Sequence, residues 1–556
     1  MTPTRTKHGG ALLAECLVAL GATKAFGVPG ESYLALLDGL HDTGGTLDFV
    51  NCRNEGGAAF MAAAWGKLTG APGLCMVTRG PGATNAAIGV HTAMQDSAPM
   101  ILLVGQIGRS MRDREAFQEI DYRAMFGTVA KWVTEIDDAG RIPEIMARAW
   151  KTALTGRRGP VVVALPEDML SGPATAAPLP GPVHYPEPHP DPDALAAGLA
   201  ALEAAERPLL LFGGCDWTEA GSRALEAFAE ASDIPVLSAF RYGDAFDNHS
   251  RCYCGEAGVG MAPLARRLLL EADAILAINA RFGENSTEGW TLLDVPTPRQ
   301  ALIHVHASEA ELGKIYRPTV AIQAGPNAAA RALRPVRGGW AAWRARARAE
   351  WEAAFDLPPL PGPVDMGAVA AHLRDALPPD AIITNGAGNF AVWPNKFLVY
   401  GPQARLLAPQ AGAMGYGVPA AVAACLAHPG RRVVCFAGDG DFQMNGQELA
   451  TAAQHGAAPI VLVVNNGTYG TIRAHQERTY PARVAGTALL NPDFAALGRA
   501  YGLHGERVEA TRDFPAAWAR ACAAPAGAVL DLAVSAEAIT PRQTLSQMRA
   551  AAQARG

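Results

Sequence analysis

Residues 436–466 read FAGDGDFQMNGQELATAAQHGAAPIVLVVNN, an acidic residue between two glycines, then a helical run, an apolar run and paired asparagines. Either end alone is an ordinary turn. With the residues before it, the stretch parses as a strand (RRVVCFAG), a turn (DGDF), a helix beginning near Gln443 (QMNGQELATAAQHG) and a second strand (PIVLVVNN). A strand, helix and strand at that spacing form a right-handed crossover between parallel strands. The same order appears near the N-terminus as GLCMVTRG, a PGATN turn, AAIGVHTAMQ and PMILLVGQ, and the middle of the chain carries PLLLFGG, IPVLSAF and DAILAINARF.

Two proline-rich seams separate these blocks, SGPATAAPLPGPVHYPEPHPDPD at 171–193 and LPPLPGP at 357–363, where missing backbone donors deny both helix and sheet. A chain of 556 residues is too long for one core, and a prior of roughly 100 to 200 residues per domain suggests about three. The fold class is therefore α/β, with three doubly wound parallel-sheet domains over 1–172, 190–340 and 360–540. Apolar residues make up 49% and charged residues 18%, so the chain can build those cores. A net charge of −6 without a Lys/Arg-rich run argues against a nucleic-acid partner. The N-terminal apolar run is broken by Glu15 and reads as an amphipathic helix, and no uncharged stretch is long enough to span a membrane. The nine cysteines are scattered, as expected of buried thiols in a cytoplasmic protein.

In an open parallel sheet, ligands bind beyond the carboxyl ends of the strands, where both Asp439 and Asn466 fall. They end consecutive strands of one crossover and so can face one crevice. The Asp439 carboxylate, the Asn466 side-chain carbonyl and the main-chain carbonyl of Thr468 make three oxygens of the six that Mg²⁺ prefers, leaving room for phosphate oxygens. Gly438 and Gly440 let the main chain approach a diphosphate, and the helix N–H groups near Gln443 turn toward it. A dinucleotide is the rival ligand, but GPGATN and GDGDFQ lack the third glycine of its fingerprint, and no Gly-Lys-Ser/Thr loop is present.

GDG followed by 24 residues and NN resembles the thiamine diphosphate signature. QAGAMGYGVPAA, RNEGGAAFMA, TRGPGATNA and AFQEID are similar to segments of the acetolactate synthase, pyruvate oxidase and benzoylformate decarboxylase group, from about Gly10 to about Gly502. The resemblance implies a pyrimidine-binding domain, a middle domain and a diphosphate-binding domain, with thiamine diphosphate and Mg²⁺ as cofactors. It also implies a homodimer or homotetramer whose active sites are completed at the subunit interface. It maps Glu55 onto the pyrimidine-activating glutamate. On its own, a Glu after Asn54 would simply favour a helix N-terminus. A carboxyl in an apolar pocket can share a proton with N1′ of the pyrimidine and so help to remove the thiazolium C2 proton. The small residues after Glu55 would let the partner subunit's cofactor come close. Met414 takes the place of the apolar wedge and Gly412 that of a main-chain acceptor. Gly388, Asn389 and Phe390 would close the diphosphate site, with Asp441, Tyr469 and Gly470 adding main-chain contacts. Gln118 resembles the substrate-side glutamine, near Phe117 and Gly30, and Thr471, Ile472 and His475 belong to the same side.

Substrate choice follows the departures from these relatives. Asn285 stands where acetolactate synthases carry a carboxylate-gripping arginine, and His475 where they carry a tryptophan. The paired histidines of benzoylformate decarboxylase are not visible, and Glu55 separates the chain from glyoxylate carboligase. His306 and Ser308 occupy positions where flavin-binding relatives carry acids, and FGGCDW replaces a triple glycine, so bound FAD is disfavoured. The expected activity is a thiamine diphosphate- and Mg²⁺-dependent lyase or carboligase acting on a 2-oxo acid or related carbonyl compound. A true acetolactate synthase is the alternative within enzymes, and a catalytically silent cofactor-binding relative the alternative from another class. A nicotinamide dehydrogenase is a more distant third.

Overall fold

The computed structural model describes residues 7–555; the first six residues, where the N-terminal domain is expected to begin, and Gly556 lie outside the described residues. Three six-stranded sheets follow one another along the chain, and every paired strand in them is parallel to its neighbour. The first holds β1 (Lys24–Gly27), β2 (Asp48–Asn51), β3 (Gly73–Val77), β4 (Met100–Gln106), β5 (Trp132–Glu135) and β6 (Pro160–Pro166), in the order β2-β1-β3-β4-β6-β5. The second holds β7 (Pro208–Phe212), β8 (Val236–Ala239), β9 (Tyr253–Ala257), β10 (Ala274–Ile278), β11 (Ala301–His306) and β12 (Val320–Gln323), ordered β12-β11-β10-β7-β8-β9. The third holds β13 (Ile382–Asn385), β14 (Arg405–Leu407), β15 (Val433–Gly438), β16 (Ile460–Asn465), β17 (His504–Val508) and β18 (Ala528–Ala533), ordered β14-β13-β15-β16-β18-β17.

Central strands such as β4 and β6 are buried along their whole length, which is why they read as unbroken apolar runs rather than alternating ones. The order reverses between β1 and β3, between β7 and β10, and between β13 and β15. These are the switch points at which open α/β sheets bind ligands. The chain divides into two compact units. One comprises 1–186, 411–429 and 443–458; the other comprises 187–410, 430–442 and 459–556. The proline-rich seams hold no helix or strand from Ala174 to Asp191 or from Leu357 to Pro363. Among the described residues no helix is long and apolar enough to cross a membrane. No disulfide links the cysteines among the described residues, and burial pushes the Cys252 and Cys254 thiols up to about 12.

Two expected turns are helical. PGATN opens the helix Pro81–Asp96, with Pro81 at the first position, where its missing N–H leaves no bond unmade. DGDF is the first turn of the helix Asp439–Asn445, so that helix starts at the strand end and not near Gln443. It also stops early. Asn445 leaves helical geometry at φ −143° and donates its side-chain amide to Gly415 O at 3.0 Å. A 3₁₀ turn over Gly446–Glu448 then leads into Leu449–His455.

The C-terminal helix Leu545–Gln553, with a capping box at Thr544 and Gln547, docks on the helix Gly470–Thr479 through a small cluster of Ala474, Ile539, Leu545 and Met548. Beside the cluster Glu477, fully buried, accepts from Arg549 at 2.7 and 2.9 Å, from Arg473 at 2.7 Å and from the main-chain N–H of Ala482 at 2.9 Å. The Arg549 guanidinium, above all, pulls its carboxyl down to about 2. Because the folded value lies below the ordinary one, this contribution is complete above pH 4.5 and is lost as the pH falls toward 2. Arg549→Ala should cost about 1–3 kcal/mol, since the carboxylate keeps two other donors. In urea unfolding the gap from the unsubstituted protein should be constant near neutrality and shrink below pH 4.5.

Candidate active site

Asp439 follows β15 directly and is 3% exposed. Its Oδ2 accepts the N–H of Gly467 at 2.7 Å and the side-chain amide of Asn491 at 2.8 Å, and its Oδ1 accepts the N–H of Gly440 at 2.9 Å. Burial pushes this carboxyl up while those donors pull it down, and no described cationic side chain pairs with it. A buried carboxylate ringed by amide donors without a counter-charge suits a bound cation. No cluster of three or more His, Cys, Asp or Glu side chains is placed to hold a metal among the described residues. The oxygens available beside Asp439 are amide ones.

The paired asparagines divide the work. Asn465 turns inward, donating to Asp531 at 2.9 Å and accepting from Asn491 at 2.9 Å, and Asp531 in turn accepts from Arg507 at 2.8 Å. Asn466 sits beyond the strand, its side-chain oxygen accepting the N–H of Thr468 at 3.1 Å, while the Thr468 hydroxyl donates to Thr487 O at 2.8 Å. The turn that carries Asn466 and Thr468 is thus pinned beside Asp439, as the sequence spacing requires. Asn491 bridges Asp439 to Asn465 and was not legible: it lies in an NPDF segment that reads as a turn, and no spacing rule ties it to the glycine-rich stretch.

Across the switch point, the turn after β13 is held by Asp441, whose side chain accepts the N–H of Ala387 at 3.1 Å. Asp441 thus works through its carboxylate on the protein, not only through its main chain. Phe390 is 3% exposed, its ring packed on Gly388 and Gly438, so only its main chain is left for a ligand. Asn389 reaches Ile539 O at 3.3 Å and packs on Gly470. A methyl at Gly440 would stand 2.5 Å from the Tyr469 ring, so this position must be bare. Thr471, Ile472 and His475 lie exposed on the helix that follows.

The first unit gathers another set at the carboxyl ends of its strands. Glu55 begins the helix Glu55–Thr69, capped by Asn54, whose side chain accepts the N–H of Gly56 at 2.7 Å. It is half-buried rather than enclosed by apolar walls, and its Oε2 accepts from Asn85 at 2.9 Å. Gly30 follows β1 and packs on Thr78 beyond β3, and Gly80 packs on Gln118. Gln118 adopts φ +66°, an uncommon conformation for its type, and Phe117 beside it is 72% exposed. Gly412 (φ +65°) and the half-buried Met414 occupy the loop that precedes the helix Gly417–Ala427.

In the second sheet the switch point is filled from within. Asn279, after β10, packs on Gly214 and donates to Asp216 at 2.6 Å, and the Trp217 indole donates to Gly213 O at 2.8 Å. His306 is buried, its Nδ1 accepting the N–H of Ser308 at 3.0 Å, and burial lowers neighbouring His304 to about 4. Asn285 is exposed in the 3₁₀ turn Glu284–Ser286.

Three doubly wound sheets, one ending in a buried carboxylate beside paired asparagines, have the layout expected of an enzyme that holds a diphosphate cofactor. Family models agree. Residues 7–125 match the N-terminal TPP binding domain of thiamine pyrophosphate enzymes, 195–333 the central domain and 386–532 the C-terminal TPP binding domain. An acetolactate synthase large subunit of Parasynechococcus marenigrum is 34% identical over 522 residues, covering 91% of this chain and 84% of the relative. Acetolactate synthase isozyme 2 large subunit of Escherichia coli is 30% identical over 505 residues (90% and 91%), and a probable acetolactate synthase large subunit of Methanocaldococcus jannaschii 30% over 524 (90% and 87%). The chain belongs to the thiamine pyrophosphate enzyme family.

Asn491→Ala would leave Asp439 Oδ2 with a single donor. Loss of such a bracing contact should weaken thiamine diphosphate binding by about 10- to 100-fold, read by quenching of tryptophan fluorescence.

Proposed function

We propose that this protein is a thiamine diphosphate- and Mg²⁺-dependent carbon–carbon lyase or carboligase acting on a 2-oxo acid or related carbonyl substrate. The observation that carries the reading is the buried, uncompensated Asp439 carboxylate at the β15 end, within a chain whose family binds thiamine diphosphate. Asp439, Asn466 and the Thr468 carbonyl would hold the metal. Gly438, Gly440 and the Gly388–Phe390 main chain would receive the diphosphate. When bound, thiamine diphosphate supplies the nucleophilic carbon and the electron sink. Glu55 would hold a proton at N1′ of the pyrimidine, Met414 would support the ring system and Gln118 would orient the substrate. The exposed Thr471, Ile472 and His475 would select it.

Activity as a true acetolactate synthase is the second reading, favoured by the names of the relatives and opposed by Asn285 and His475 where a guanidinium and an indole are expected. Exposed apolar side chains in both units, among them Leu34 (62%), Phe117 (72%) and Leu490 (100%), support a homodimer or homotetramer with active sites at the subunit interface. Intact Glu55, Asp439 and Asn466 oppose a silent relative.

Incubating the holoenzyme with pyruvate and a panel of 2-oxo acids should release carbon dioxide from at least one of them. Acetolactate from pyruvate alone would select the second reading. Glu55→Gln should leave the thermal melt unchanged and lower turnover on the order of 10²-fold. Turnover near normal would remove Glu55 from its role.

The self-filled crevice of the second sheet further supports a flavin-free enzyme. Protein purified without added cofactor should show no flavin absorbance in the visible, and a stoichiometric yellow band would overturn that assignment.

A further inference from the structure

Glu448 sits in GQELATA, within the run that reads as a helix, and its side chain is fully buried. Its Oε1 accepts the main-chain N–H of Asn54 at 2.9 Å and of Arg53 at 3.1 Å, while Oε2 accepts the Thr451 hydroxyl at 2.6 Å. Two neighbours close the same clasp. His455 Nε2 accepts the N–H of Asn51 at 3.2 Å, and the Arg53 guanidinium donates to Gln454 at 2.7 Å and to Asn51 O at 2.8 Å. The turn from Asn51 to Asn54 is thus held by side chains nearly four hundred residues downstream, and the next residue is Glu55.

Gly57 supplies an independent observation. A methyl there would stand 2.6 Å from Glu448 Oε1, so the second glycine after Glu55 is kept bare by this chain's own carboxylate. The sequence suggested that the space served a partner subunit's cofactor; at Gly57 it serves Glu448. A carboxylate that fixes two consecutive amides at the start of a helix fixes the direction of the first helical side chain as well.

We propose that Glu448 is a positioning residue for Glu55, holding the Arg53–Asn54 turn so that the Glu55 carboxyl meets the pyrimidine ring in one orientation. The proposal rests on the role assigned to Glu55, and its test separates the two. Three measurements suffice: hydrogen exchange of the peptide spanning residues 50–57 without cofactor, thiamine diphosphate affinity, and proton exchange at C2 of the bound cofactor by NMR. In Glu448→Gln the peptide should lose protection by about 10-fold and C2 exchange should slow by about 10- to 100-fold, as for a displaced catalytic group, with affinity within about 2-fold. Gly57→Ala, which crowds the carboxylate without removing it, should move both rates in the same direction and serves if Glu448→Gln fails to fold. Because Glu448 acts through Glu55, adding Glu448→Gln to Glu55→Gln should slow C2 exchange no further. Unchanged protection and exchange in Glu448→Gln, or a multiplicative loss in the double variant, would overturn the proposal. Normal C2 exchange in Glu55→Gln would instead remove the role of Glu55, and the loss of amide protection in Glu448→Gln would still stand as a purely structural effect.

Discussion

Parallel strands covered by helices on both faces leave one kind of place for polar chemistry, the carboxyl ends where the backbone leaves the sheet. The candidate site residues obey that constraint. Gly30 follows β1, Glu55 lies four residues beyond β2, Asn389 follows β13, Asp439 follows β15 and Asn466 follows β16. β15 is apolar and buried along its whole length, so a charged side chain moved even two residues back into it would enter a core with no partner for it. The position of Asp439 is therefore set by the end of β15 as much as by the ligand it would hold.

A carboxylate at such an end needs bracing, because burial disfavours its charged form. Asp439 is braced by two main-chain N–H groups and by Asn491, and Asn491 is braced by Asn465, which is tied through Asp531 to Arg507. The chain of contacts runs from a half-exposed guanidinium to the buried carboxylate without leaving a member unsatisfied, as a polar network in a low-dielectric interior requires. The two asparagines thus do different work: the Asn465 side chain faces into the network and that of Asn466 holds the turn beyond the strand.

Glu448 and Asp441 show the same economy in unequal settings. Each is an acidic side chain spent on the backbone of another loop, Asp441 on the turn after β13 and Glu448 on the turn after β2. Asp441 fell within a stretch already marked as chemical, and its side-chain hold on the turn after β13 adds to the main-chain contact expected of it. Glu448 fell within a helix whose periodicity gives no hint of burial, because the surface that buries it comes from a distant part of the chain.

The sequence by itself determined the three α/β blocks, the parallel strands and the pairing of Asp439 with the Asn466 turn, since hydrophobic runs and crossover spacing are local and the right-handed crossover leaves little choice of topology. It also marked Glu55 as lying at the N-terminus of a helix, where the structure makes it the first residue. Local pattern misplaced the start of the Asp439–Asn445 helix, because a glycine–aspartate string that looks like a turn can also form a first helical turn when a strand ends against it. Only the tertiary structure decided that Asn491 and Asn465 brace the carboxylate, that Phe390 faces the core, that Asn279 fills the second switch point and that Glu448 grips the turn before Glu55. Those contacts join residues far apart in the chain through single side-chain atoms, and no period or spacing along a sequence encodes which buried donor an acceptor will meet.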